Sequence, residues 1–357
     1  MKRLPLAAIL AAFFIFLILE VSVRQSVLLL VGVGMGAALA GARFGFTTGW
    51  RQLIEQRNPQ GVTGQVLLLA LASLAALPLL GQFSELHAAL GPPSVSLLVG
   101  AFVFGLTMQI ADGCGSGTLY KAGLGVPLNM GILPLFALGS FLGSVHLDNW
   151  LSLGQMEPVS LSEQLGTSGA LGLTLALLAA VLVVTRLWVG AGQTWFNKRW
   201  LWGAVALAIL ATINLLLAGQ PWGVVYGFGL WAAKGAVALG LFDPAGNAFW
   251  GQAGNAQRLT QTVLMDVTTI TNIGILGGAL WVSAKAPGDS KPLTTQQWVI
   301  GLVAGFVMGY SSRLAFGCNI GAMLSGISTG SLHGWIWVPM AFAGTLIGVR
   351  VRRHYQF

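Results

Sequence analysis

Ala111-Asp112-Gly113-Cys114-Gly115-Ser116-Gly117 is answered near the far end of the chain by Ala315-Phe316-Gly317-Cys318-Asn319-Ile320-Gly321. The two runs hold both of the protein's cysteines, each in a Gly-Cys-x-x-Gly setting after a long apolar segment. The correspondence continues upstream, where Val99, Phe102, Val103 and Gly105 match Val303, Phe306, Val307 and Gly309 at the same spacing. This is an internal repeat. Glycine costs about 1 kcal/mol relative to alanine in a helix interior, so a run this rich in it predicts a break in each helix. Glycine also lets a turning backbone come close to something small. Two copies predict two such breaks facing one another.

Outward from these runs the chain is apolar. Hydrophobic residues make up 55% and charged residues 8%, and the mean hydropathy is +0.78. Soluble domains carry roughly 25% charged residues, so the composition predicts an all-α polytopic membrane protein. The 50 glycines fit close approach of membrane helices. A net charge of +8 does not imply nucleic acid. The cations sit at segment ends: Lys2 and Arg3, Arg51 and Arg57, Lys198 and Arg199, and Arg350, Arg352 and Arg353. That is how charges that set topology are distributed, and it predicts both termini in the cytoplasm. The two cysteines make no disulfide framework, and the four histidines have no metal-ligand spacing.

In chain order, Leu4 to Leu19 reads as an uncleaved first helix, and Val27 to Ala42 as the second. Arg51 to Gly61 reads as a loop or surface helix, and Val66 to Leu80 as the third apolar run. Val95 to Ile110 enters the first Gly-Cys turn, and the uncharged run to Val145 is expected to bend or break at Pro127 and Pro134. Asp148 to Gln164 reads as a loop and Gln164 to Thr185 as a span. A helix from Trp200 is then followed by a discontinuous piece containing Lys234. Leu259 to Ala284 reads as a span with Asp266 inside it, and Ala286 to Thr295 as a loop. Pro292 to Ser312 enters the second Gly-Cys turn, and a last helix starts near His333. Basic ends on one side require an even number of crossings, and about ten spans plus short re-entrant helices fit. Irregular backbone survives at membrane depth only inside protein or beside a water-filled cavity, so the breaks mark a route.

Along that route a thiol is a weak S–H donor, and a helix N-terminus favours an anion. Cys114 and Cys318 are therefore the candidate contacts for a sulfur-bearing anion. Asn319 supplies a donor and an acceptor beside Cys318. Gly113, Gly115, Gly117, Gly317 and Gly321 can expose backbone N–H groups to the same solute.

The chain resembles the YeeE/YedE family of membrane proteins, whose best-understood members take up thiosulfate. The resemblance rests on Ala42-Arg43-Phe44-Gly45-Phe46-Thr47, on Gly113-Cys114-Gly115-Ser116-Gly117-Thr118-Leu119-Tyr120 and on Gly229-Leu230-Trp231-Ala232-Ala233-Lys234. Above all it rests on Phe316-Gly317-Cys318-Asn319-Ile320-Gly321 through Ser331-Leu332-His333-Gly334-Trp335. It implies an hourglass-like bundle of two pseudo-symmetric inverted halves, 26–190 and 191–357, preceded by an additional helix within 1–25. It further implies a path along which thiosulfate meets cysteine thiols, of which Cys114 and Cys318 are two. The family's third path cysteine falls at Gly45, where this chain has none. Family context adds the bacterial inner membrane, contact with membrane lipid, no cofactor, and a cytoplasmic TusA-type sulfurtransferase as partner.

Charged residues near the path leave alternatives open. Asp112 stands where relatives more often have glycine, and either accepts a proton or pairs with a base such as Lys121. Lys234 either raises local anion concentration or pairs with Asp266. Arg43 and Arg313 read as cations snorkelling to the interface, and His333 as a structural donor rather than a proton shuttle. The sequence carries no P-loop or G-x-G-x-x-G fingerprint that would supply energy from a nucleotide. Uptake of thiosulfate or a related anion leads. A carrier of another sulfur or selenium species, or a membrane sulfurtransferase working through cysteine persulfides, is the alternative. The latter is weakened by the lack of an evident base beside either thiol.

Overall fold

The computed structural model describes residues 3–284 and 292–357. Lys2 and residues 285–291, within the expected 286–295 loop, lie outside them. The described chain is an all-α polytopic membrane protein. Nine helical stretches among these residues are long and apolar enough to cross a membrane, and a tenth apolar helix, Val267–Ser283, is shorter.

The chain opens with α1 (Arg3–Glu20), α2 (Val23–Ala42), the short α3 (Phe46–Gln56) and α4 (Gln60–Gln82). Of the two readings of Arg51 to Gly61, loop or surface helix, the structure has mostly helix, and that helix begins earlier, at Phe46. Phe46, Thr47, Gly49, Trp50 and Leu53 form its buried face, which polarity alone hides. Next come α5 (Val95–Ile110), the short α6 (Gly115–Gly123) and α7 (Pro127–Val145). Ser94 starts α5 by accepting from the Leu97 N–H. In α7, Pro127 occupies the first turn, where its missing N–H is harmless, and Pro134 lies within the helix without ending it. The loop after it holds α8 (Leu147–Leu151), and α9 (Leu161–Val189) is kinked where Gly166 adopts φ 69°.

α10 (Lys198–Ala218), the short α11 (Val225–Ala238), α12 (Ala253–Thr260) and α13 (Val267–Ser283) follow. Asp266 is not inside a span, as the sequence suggested, but is the N-cap of α13, its side chain accepting from the Thr269 N–H. A carboxylate at a helix start meets unpaired N–H groups and the positive end of the dipole, which fixes it there. The last group is α14 (Thr295–Leu314), a π-helical turn Asn319–Ser325, α15 (Gly326–Ser328) and α16 (Leu332–His354). Only 11% of the apolar window of α1 and 22% of that of α9 are buried, so these two lie at the periphery.

The long helices pack as the sequence repeat does, in exchanged pairs. A side chain at Gly105 of α5 would overlap the Ala341 carbonyl of α16, and one at Gly344 would overlap that of Phe102. At the matching places, Gly309 of α14 meets Phe136 of α7 and Gly139 meets Phe306. Each Gly-Cys helix therefore lies backbone to backbone on the helix that follows the other one. Small residues permit this approach, and van der Waals contact then holds the pair. Gly105→Ala and Gly309→Ala are expected to destabilise by similar amounts, about 1–3 kcal/mol each for overpacking. Thermal unfolding of both purified variants checks this, and tolerance of one but not the other would contradict the mirrored contact.

Candidate functional site

Three short helices begin in the same way. α5 ends with Asp112 in the left-handed region (φ 54°), and the Gly113 N–H reaches back to the Met108 carbonyl at 3.1 Å. α14 ends with Phe316 at φ 56° and the Gly317 N–H on Ser312 O at 2.9 Å. α2 ends with Arg43 at φ 49° and the Phe44 N–H on Leu39 O at 2.9 Å. Such a closure satisfies the orphan carbonyls of a helix end and turns the chain sharply. Two residues after each left-handed residue comes the N-cap of the next short helix: Cys114, Cys318 and Gly45. Gly45 thus holds the same structural place as the two cysteines. The fourth short helix, α11, has Val224 as its N-cap and follows the Gly219-Gln220-Pro221-Trp222-Gly223 interruption, where the sequence places the start of the discontinuous piece containing Lys234.

These starts meet in the interior. A Cβ on Gly115 would lie 3.1 Å from the Cys318 sulfur and 3.6 Å from Val224 Cγ1, and a Cβ on Gly117 would lie 3.5 Å from the Cys114 sulfur. The first turn of α6, Gly115-Ser116-Gly117, therefore separates the two thiols with hardly any side chain. Both cysteines are buried, at 1% and 0% exposure, so the centre is closed. The Cys114 sulfur lies 3.5 Å from Ser116 Oγ, and the Cys318 sulfur accepts from the Ile320 N–H at 3.4 Å.

One small cavity reaches the Cys114 side chain, and a second is lined by neither cysteine. The first, of about 10 Å³, is lined by Gly45, Thr47, Gly113, Cys114, Gly117 and Lys121. The second, of about 20 Å³, is lined by Trp222, Leu324, Ser325 and neighbours. Several buried polar groups have no partner among the described residues: Asn319 Oδ1 and Nδ2, Thr47 Oγ1, Thr118 Oγ1 and Trp222 Nε1. A buried polar atom left unsatisfied costs about 1–3 kcal/mol, and Asn319, next to Cys318, has both its amide atoms in that state. Beyond Cys318 the chain winds as a π turn, Asn319–Ser325, a form that occurs often at functional sites. Gly317 (φ 147°) has no room for a side chain, its Cβ position lying 2.5 Å from the Ala322 nitrogen, whereas a Cβ on Gly321 would make only an ordinary contact, 3.8 Å from the Phe316 carbonyl oxygen.

The family profile described as "Sulphur transport" matches residues 41–347. The chain belongs to the sulphur-transport family. Among its relatives, "Thiosulfate transporter TsuA" of Spirochaeta thermophila is 29% identical over 86% of this chain and 93% of the relative. "Thiosulfate transporter TsuA" of Escherichia coli is 23% identical over 91% of this chain and 95% of its own length. "Probable transporter YedE" of Salmonella typhimurium is 30% identical, but over only 46% of this chain and 40% of that protein.

Other candidate residues of this family member fall outside the centre. Arg43 is exposed beside Gly45. Lys234 does not pair with Asp266; its ammonium donates to the carbonyls of Leu259 and Gln261 at the C-terminal end of α12, 2.6 Å in the first case. Asp266 is instead occupied by Thr269. Arg313 stacks over Phe249 at 4.7 Å and Tyr226 at 5.7 Å instead of reaching a polar surface. His333 has Nδ1 2.6 Å from Ser331 Oγ, while its buried Nε2 has no partner among the described residues. Asp112 does pair with Lys121, at 2.6 Å, and also with Arg51 at 2.9 Å and Arg352 at 3.3 Å. Arg51 and Arg352 read in sequence as topology charges only, and nothing local to either points to Asp112.

Proposed function

We propose that this protein takes up thiosulfate, or a closely similar small sulfur-bearing anion, across the bacterial inner membrane, with both termini in the cytoplasm. In this reading the solute moves between two inverted halves, 26–190 and 191–357, past Gly45, Cys114 and Cys318. One observation carries it: two buried thiols cap the starts of two short helices across a turn that is nearly all glycine, beside an Asn319 amide whose polar atoms have no partner. The match to relatives named for thiosulfate transport supports the choice of solute.

The chemistry suits a passing anion. A dianion leaving water loses strong hydration, and burying it unpaired is prohibitive. Helix N-termini offer N–H groups and positive dipole ends, and S–H groups add weak donors that hold without trapping. The glycine turn keeps the anion close to backbone N–H groups as it passes from one sulfur to the other. The solute is then received by a cytoplasmic sulfurtransferase of the TusA type.

Uptake of sulfur-labelled thiosulfate into vesicles holding the purified protein tests the function, with sulfate and sulfite as competitors. Failure of thiosulfate to enter would overturn it. Gly45→Cys adds a test of the path. Gly45 has extended φ/ψ (−117°, 114°) that any residue adopts, and its Cβ would lie 2.9 Å from Thr48 Oγ1 and 3.2 Å from Thr48 Cβ, so the hydroxyl must turn aside and the two Cβ atoms must part slightly. The variant is expected to fold and to raise the thiosulfate uptake rate several-fold, by about 1 kcal/mol of added transition-state stabilisation. An unchanged or lower rate would remove Gly45 from the path.

A further inference from the structure

Between the thiol cavity and a wide, open pocket stands one carboxylate surrounded by cations. Lys121 lines the small cavity shared by Gly45 and Cys114. Asp112 and Arg352 line a separate open pocket of about 540 Å³. Asp112 bridges them, with Oδ2 2.6 Å from Lys121 and Oδ1 2.9 Å from Arg51 and 3.3 Å from Arg352. All four side chains keep only 16–24% of their exposure. Three cations face one anion, which leaves a net positive charge of two in a poorly hydrated place. The partners come from α3, α6 and α16, so the carboxylate ties together three elements that border the path. Glu55, whose own ion-pair partner is the exposed Arg353 at 3.4 Å, also acts on Arg352 and offsets part of the excess, leaving the cluster net positive.

We propose that Lys121, Arg51 and Arg352 form an anion-binding station on the path. The Asp112 carboxylate occupies it when no solute is present and is displaced by a passing sulfur oxyanion of charge minus two. This rests on the reading of the protein as an anion carrier and adds a second kind of contact, charged instead of thiol. The excess charge attracts the dianion out of the narrow centre. Asp112 then competes with it and sends it into the wide pocket. A station of three cations without an internal competitor would hold a dianion too tightly for turnover, since close charge pairs in poorly hydrated places are strong.

The left-handed backbone of Asp112 (φ 54°) suits both asparagine and glycine, so Asp112→Asn and Asp112→Gly offer two folded routes to removing the competitor. Thiosulfate and sulfate binding to detergent-purified protein by calorimetry, and thiosulfate uptake into vesicles, are the readouts. In both Asp112 variants, Kd for thiosulfate is expected to fall about tenfold while the maximal uptake rate falls by a similar factor. Arg352→Gln is expected to raise Kd about tenfold. Sulfate is expected to bind the station even where it is not transported, and Arg352→Gln is expected to raise the Kd for sulfate about tenfold as it does for thiosulfate. Those two arms separate failure of the station from failure of the transport reading. Asp112 variants that fold but bind thiosulfate no more tightly than wild type, or more weakly as Arg352→Gln does, would reduce Asp112 to a structural ion-pair partner and overturn the proposal.

Discussion

Cells that rely on this protein for sulfur are expected to stop growing on thiosulfate when either Cys114 or Cys318 is replaced by alanine. Growth on cysteine should be untouched. The expectation follows from where the sulfurs lie. Both are buried, each caps a short helix, and the first turn of α6 passes between them. Removing one sulfur deletes a donor at the narrowest place and leaves a small apolar void in its stead. A dianion meeting that void loses a hydrogen bond to a charged group, about 1.5–3 kcal/mol. That corresponds to roughly a tenfold to hundredfold slower passage. Stability should change far less, because a cysteine-to-alanine change removes a single heavy atom, and the backbone closures at Asp112–Gly113 and Phe316–Gly317 do not involve sulfur. Serine at either position restores a donor and is expected to recover part of the rate. Uptake in vesicles with equal amounts of folded protein is the decisive measurement, and full activity of both alanine variants would sink the thiol path.

The sequence made the helices and the two Gly-Cys turns legible because each rests on a local property. Apolar length marks a span, and a glycine pair around a cysteine marks a break. The bounds of α5 agree with those read from sequence, since Ser94 and Asp112 are local signals for its start and end. α3 was hidden because its buried face alternates with Arg51, Glu55 and Gln56, which read as surface. Asp266 misled for a related reason. Hydropathy averages over a window, whereas an N-cap is decided by one side chain and the N–H groups that follow it. The charged cluster was beyond reach for a different cause. Lys121 is near Asp112 in sequence, but Arg51 and Arg352 arrive from α3 and α16 through tertiary packing that no local pattern encodes. The equivalence of Gly45 with the cysteines came from a family resemblance. The left-handed residues Arg43, Asp112 and Phe316 now give it a backbone basis.

Gly115→Ala is expected to slow uptake more than any other single methyl addition, with the fold retained. Gly115 is the first residue of α6 and is not in the left-handed region, so its backbone allows alanine. Its methyl, however, would sit 3.1 Å from the Cys318 sulfur. That is tight enough to push the sulfur aside and close the gap between the thiols. Overpacking of this kind costs about 1–3 kcal/mol, and a solute that must part the same groups meets the whole of it, roughly five-fold to more than a hundredfold in rate. A graded series isolates the effect from glycine loss in general. At Gly117 the new methyl would rest 3.5 Å from the Cys114 sulfur, an ordinary contact, and at Gly172 in peripheral α9 it would meet nothing within 4 Å. Uptake rates, compared at equal amounts of folded protein, should therefore fall in the order Gly172→Ala, Gly117→Ala, Gly115→Ala, with only Gly115→Ala losing thermal stability to the tight contact. If Gly115→Ala moved thiosulfate as fast as Gly172→Ala, the solute would not pass between the sulfurs. The turn would then be only a place where two helices touch.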